Sequence, residues 1–203
     1  AIDEVELSGR ILNADFKNVT TLRAASNPET ILAAFYLRDE TGANYGLNAL
    51  PFLTGIQGAL NLDSLPYVQT TVNGQGAYQI SPKSRSLFTS DDKRVPFTWV
   101  TERQASGPKI SWITKLPGTK YADDRVSDND VIIYRLADIF LMKAEAYAAL
   151  DNTTLAIEYL NKVRGRAGIG DYTGATDKAS VEKEILDERG RELFFENKRW
   201  YDL

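Results

Sequence analysis

The chain has 203 residues and a net charge of −4, with 43% apolar and 26% charged residues. That balance is ordinary for a globular protein and the length suffices for one domain with a core, while the acidic excess and scattered basic residues argue against a nucleic-acid role. Cysteine and histidine are both absent, which excludes disulfides, thiol catalysis, thiolate or histidine metal sites and serine–histidine triads, so any chemistry must rest on Asp, Glu, Lys, Tyr or Arg.

The opening residues AIDEVELSGR read as a helix end. Ile2, Val5 and Glu6 fall at helical spacing, and Ser8-Gly9 supplies a stop. A helix end without a beginning fits a chain that lacks its preceding residues; a short helix of its own is the alternative. Asn27-Pro28 marks a turn, and ETILAAFYLRDE, with β-branched and aromatic residues, predicts a strand or strand pair. From Thr41 to Gln79 the chain is turn-rich and mostly polar. Such long stretches are uncommon in compact domains and are often functional. Ser81-Pro82 predicts a helix start with Pro at the first helical position, running to about Phe88. FTWV and KISWIT predict short strands separated by SGP. No stretch reaches the roughly 18 apolar residues of a membrane-spanning helix.

The tail from Ser127 to Leu203 reads as a bundle of amphipathic helices built for packing. VIIYRLADIFLMKAEAYAAL places Leu136, Ile139, Phe140, Lys143 and Tyr147 at spacings of three and four, with Asp128 or Asp130 as cap and Asp151-Asn152 as its end. Thr153 or Thr154 caps a second helix with Ala156, Tyr159, Leu160 and Val163 on one face and Gly168 as C-terminal cap. The short turn predicts an antiparallel hairpin. A third helix is predicted from about Val181 to Glu196. The hairpin has the small and aromatic residue pattern of a tetratricopeptide unit, which cannot bury its own face and needs neighbours.

Three groups of residues could carry chemistry. Glu188, Glu192 and Glu196 stand four apart on the third helix, interleaved with Arg189, Arg191 and Arg199. Paired carboxylates suit acid/base work, but like charges at this spacing repel unless arginines bridge them. A structural Arg–Glu clamp involving Glu188, Arg191, Glu192 and Arg199 is the simpler expectation. The acidic run ADDRVSDND could hold Ca²⁺ through oxygen ligands, though it lacks the glycine and terminal glutamate of an EF-hand; a solvated loop with a capping Asp is the plainer alternative. The aromatics are the stronger functional lead. Tyr45, Phe52, Tyr67 and Tyr78 lie in or beside the long loop, which also supplies Asn73, and Trp99 and Trp112 follow. Flat faces with polar edges suit stacking against sugar rings, with amides supplying hydrogen bonds. Trp99 and Trp112 sit in strand-like segments and fit a core role as well. Trp200, beside Phe194 and Phe195, is expected in the core.

Three blocks resemble the SusD/RagB family. The most specific runs from RLADIFLMKAEAYAAL through AIEYLNKVRGRAGI to ILDERGRELFFENKRWYDL. SLFTSDDKR resembles that family's helix ending in a DxR-type signature, and ELSGRILNADF with NPETILAAFY is similar to its mid-chain helix end, loop and strand. Gly190 stands where the family usually has Arg, and Asn197 where it usually has Gly. The resemblance implies a mainly α fold with loop-rich and short β segments, a SusD-like α-α superhelix. Residues 1–126 form the loop-rich ligand-binding part and 127–203 the tetratricopeptide-like helical part. It implies a non-catalytic protein without cofactor or metal that captures glycan, or in some members peptide. Such a protein works at the cell surface beside a SusC-like TonB-dependent outer-membrane transporter. It is held to the membrane by a lipid anchor outside this chain, and the longer family chain implies that these residues are a portion of one. The candidate ligand residues are then Tyr45, Tyr67, Asn73, Tyr78, Trp99 and Trp112. A tetratricopeptide-type scaffold for protein partners is the alternative of a different class.

Overall fold

The structure is a computed structural model that describes residues 2–21, 23–37, 80–103, 109–116, 118–120, 125–126 and 128–202. Helix α1 (Ile2–Glu6) ends in turns at Gly9, whose φ of 75° only glycine adopts freely. Helix α2 (Asn18–Thr21) and a 3₁₀ turn (Ala24–Ser26) lead to β1 (Thr30–Ala34). Helix α3 (Pro82–Arg85) starts at Ser81, whose hydroxyl accepts from the Ser84 amide. A 3₁₀ turn (Val95–Phe97) precedes the hairpin of β2 (Trp99–Arg103) and β3 (Lys109–Ile113), and β4 (Thr119–Lys120) pairs with β5 (Arg125–Val126).

The tail opens differently from its periodicity. Val131–Arg135 is a strand, β6, paired antiparallel with β1 in the register Leu32↔Tyr134 and Ala33↔Ile132. Three consecutive β-branched residues favour the pleated state, and the partner that settles the choice lies about a hundred residues upstream. Helix α4 therefore starts at Leu136, with Arg135 in extended conformation as its N-cap and no side-chain cap. Asp128 and Asp130 are not caps. Both accept from Arg23, Asp128 also takes the Thr119 amide, and Asp130 takes the Ala24 amide. Their oxygens thus face cationic and amide donors, which disfavours a metal ion there; Asp123 and Asp124 lie outside the described residues.

Helices α4 (Leu136–Ala149) and α5 (Thr153–Ala167) form the hairpin. Asn152, rather than either threonine, caps α5 by accepting from the Leu155 amide. At the other end Gly168 takes the left-handed cap conformation. Helix α6 runs from Lys178 to Glu192, capped by Asp177. It ends four residues before the expected Glu196 because Phe195 and Asn197 adopt φ near 60°, which no helix continues. Alanines 137, 144, 148 and 156 let α4 and α5 approach closely around Leu141, Tyr159, Leu160 and Val163, and α6 closes the core with Val181 and Ile185. Each fully buried Leu or Ile contributes about 2 kcal/mol by leaving water. The fold is thus mainly helical, with three two-stranded ribbons among the described residues. None of the described helices is long and apolar enough to cross a membrane.

Trp200 is 83% exposed, contrary to the expected core position. The expectation treated it as the end of a helix, but α6 stops eight residues earlier and the turns that follow carry Trp200 to the surface.

Candidate functional site

The most elaborate constellation among the described residues is a buried charge cluster on one side of α6. Glu188 and Glu192, one turn apart, and Glu196 in the turns beyond are all buried. Four cations from four other segments converge on them. Arg94, just before the second 3₁₀ turn, forks onto Asp92 at 2.7 and 2.9 Å and reaches Glu188 at 2.5 Å and Glu192 at 3.0 Å. Arg135, closing β6, forks onto Glu196 at 2.8 and 2.9 Å and bonds Glu192 at 2.5 Å and Glu29 at 2.6 Å. Arg166 in α5 bridges Glu29, at 3.1 Å, and Glu192. Lys115, after β3, donates to the Glu192 carbonyl oxygen at 2.8 Å and pairs with Glu196 at 2.5 Å.

Glu29, immediately before β1, also accepts from the Asn13 amide at 3.0 Å. Arg191 pairs with Glu188 and Glu184 and donates to the Leu87 carbonyl. Arg199 points to the Leu186 carbonyl at 3.2 Å. Gly190 faces Leu87: a Cβ there would lie 3.1 Å from the Leu87 methyl.

Burial and charge act in opposite directions on these groups. Burial alone disfavours ionised Glu192, but Arg166, Arg135 and Arg94 hold its carboxyl well below the usual range. Glu196 is likewise held low by Arg135 and Lys115 against its burial. Arg135 gains from Glu196, Glu192 and Glu29 more than burial takes away. Lys115 goes the other way: burial pushes its ammonium down to about 8, with Glu196 resisting and Arg135 assisting. A carboxylate fixed as an anion by guanidinium groups and shielded from water accepts hydrogen bonds; it is not poised to trade protons near neutral pH. The arrangement holds segments together.

The other expected residues are distributed as follows. Tyr45, Tyr67, Asn73 and Tyr78 lie outside the described residues. Trp99, at the start of β2, is 7% exposed and meets the Phe88 ring edge-on at 4.6 Å, so it presents no free face for stacking. Trp112 in β3 pairs through its backbone with Val100; its side chain lies outside the described set. Glu29, Arg94, Lys115, Arg135 and Arg166 were not singled out from sequence. A signal for three of them existed, because the family-like blocks contain them: Arg94 ends SLFTSDDKR, and Arg135 and Arg166 lie in the RLADIF and VRGRAG stretches of the tail block.

The chain is similar in sequence and fold to known proteins. The SusD family model matches residues 98–203, just over half of the chain. SusD-like protein P2 of Formosa agariphila is 25% identical over 95% of this chain and 42% of its own length. SusD-like protein P25 of the same organism is 41% identical over 64% of this chain and 26% of its own. Among solved structures, NanU of B. fragilis superposes with a TM-score of 0.81 at 25% identity, covering 100% of this chain and 48% of NanU. The chain thus spans less than half the length of these relatives. With the family model matched across its C-terminal half, the chain belongs to the SusD family.

Proposed function

We propose that this chain is part of a non-catalytic cell-surface protein that captures glycan, an oligo- or polysaccharide, for delivery to a SusC-like TonB-dependent outer-membrane transporter. Family membership is the observation that carries the proposal. The charge cluster supports its non-catalytic side: Glu188 and Glu192, the most obvious acid/base pair, are occupied by arginines and out of contact with solvent. In this reading residues 127–203 are the tetratricopeptide-like scaffold and residues 1–126 carry the ligand. Tyr45, Tyr67, Asn73, Tyr78 and Trp112 are the contact residues, aromatic faces stacking on sugar rings and the amide bonding hydroxyls. Trp99, buried against Phe88, is not among them. The lipid anchor lies outside these residues, and no cofactor is required.

The test is a thermal-shift screen against oligo- and polysaccharides, followed by calorimetry on the hits. A glycan raises the melting temperature of the wild type, and Tyr67→Ala with Tyr78→Ala removes the shift. A shift that persists in the double variant refutes the site assignment. Silence on glycans with binding of peptides moves the ligand class to peptide. Pull-down of protein partners without any small ligand favours the scaffold reading.

A further inference from the structure

Buried ion pairs are a weak source of stability. Desolvation can outweigh their attraction, and well-packed apolar replacements are often as stable or more so. What a directional network does supply is register, because bidentate and shared hydrogen bonds are satisfied in one mutual arrangement only. Glu192 is the centre of such a network. Its carboxylate takes Arg94, Arg135 and Arg166, and its carbonyl oxygen takes Lys115 and Arg135.

Two of those partners flank, in sequence, the hairpin that carries the candidates Trp99 and Trp112, and the other two bind Glu29 beside β1. Arg94 stands five residues before Trp99, where β2 starts, and Lys115 two residues after β3. Arg135 ends β6, which pairs with β1. Arg135 and Arg166 also grip Glu29, the residue before β1. Glu192 itself is 0% exposed and cannot touch a ligand.

We propose that Glu192 is a positioning residue for ligand binding: through Arg94, Arg135, Arg166 and Lys115 it sets the mutual placement of β1, the β2–β3 hairpin and β6. For its binding readout, and only for that, the proposal rests on the glycan-capture reading above.

Two variants test it. Glu192→Gln keeps the shape and removes the charge. Arg135→Lys is milder: it keeps the charge but loses the planar fork that spans Glu196, Glu192 and Glu29. Both are compared with the wild type at a temperature where denaturant titration shows the variant fully folded. Glycan affinity is measured by calorimetry, and near-UV circular dichroism reports the packing of the tryptophans and tyrosines. The expected result is at least a tenfold loss of affinity together with an altered near-UV spectrum in a fully folded variant. A merely stabilising network predicts a lower melting temperature but wild-type affinity and spectrum once folded; that result overturns the proposal. Should Glu192→Gln fail to fold, Arg135→Lys decides alone. If the wild type binds no glycan, the glycan reading has failed, and the near-UV comparison still decides the positioning role.

Discussion

Arg135 and Glu192 stand 57 residues apart in sequence and meet in the interior, guanidinium Nη1 2.5 Å from carboxylate Oε1, with side chains 1% and 0% exposed. The contact joins the strand that pairs with β1 to the helix that closes the core. Around it, Arg94 and Arg135 each meet three carboxylates and Arg166 meets two, while Glu192 takes all three guanidiniums, so its removal strands several partners at once.

That interdependence predicts a large effect from a single truncation. Glu192→Ala leaves Arg94, Arg135 and Arg166 without their shared acceptor. Removing one partner of a buried pair costs about 3–5 kcal/mol, a large share of the roughly 5–15 kcal/mol that holds a domain together. Urea unfolding followed by far-UV circular dichroism measures it; a loss under about 1 kcal/mol contradicts the network as drawn.

The same groups set the pH response. Glu192 and Glu196 have folded values held below their ordinary 4.5, so in acid the unfolded chain binds protons that the native state refuses. Their contribution is fully present above about pH 4.5 and is lost as the pH falls below it. Lys115 has the opposite history, about 8 folded against 10.5 ordinarily. Between those values the unfolded chain holds a proton that the native chain has released, so this residue's contribution becomes more favourable as pH rises from 8 to 10.5. Denaturant titrations of wild type and Lys115→Met across pH 7–10 check the sign: the wild type gains relative to the variant as pH rises.

Two helix glycines give a paired prediction. Gly168 has φ of 75°, and a Cβ there would lie 2.7 Å from Lys93 Cε. The Lys93 backbone amide donates to the Ala167 carbonyl at 3.0 Å, while its flexible side-chain end must swing aside. Gly168→Ala therefore pays the left-handed penalty of about 1–2 kcal/mol, plus displacement of the lysine. Gly165, inside α5, has open space where a Cβ would sit, and Gly165→Ala gains about 0.5–1 kcal/mol from lower backbone entropy in the unfolded chain. Melting temperatures shift in opposite directions.

Two tryptophans separate in the same way. Trp99→Ala empties a buried site against Phe88 and costs about 3–5 kcal/mol. Trp200→Ala, at an exposed turn, stays within about 0.5 kcal/mol in this chain. Fluorescence of the single-tryptophan variants shows the ring environments directly: acrylamide quenches Trp200 strongly and Trp99 weakly.

What was legible in the sequence was local. The apolar spacing of Leu136, Ile139, Phe140 and Tyr147, of Ala156, Tyr159, Leu160 and Val163, and the cap at Gly168 are properties of a few consecutive turns, and periodicity reports them because each turn repeats the same face. The strands around Thr30, Trp99 and Trp112, the Ser81-Pro82 helix start and the family blocks were legible for the same reason. Tertiary structure alone decided three things. Val131–Arg135 became a strand because β1 supplies its backbone partners from about a hundred residues away. Asp128 and Asp130 turned from the helix start to Arg23 because that guanidinium reaches them across the fold. Glu188 and Glu192, visible as a dense charge pattern, acquired Arg94, Arg135 and Arg166 as partners, because a carboxylate taken out of water must find its cations wherever folding brings them, and sequence spacing carries no record of that.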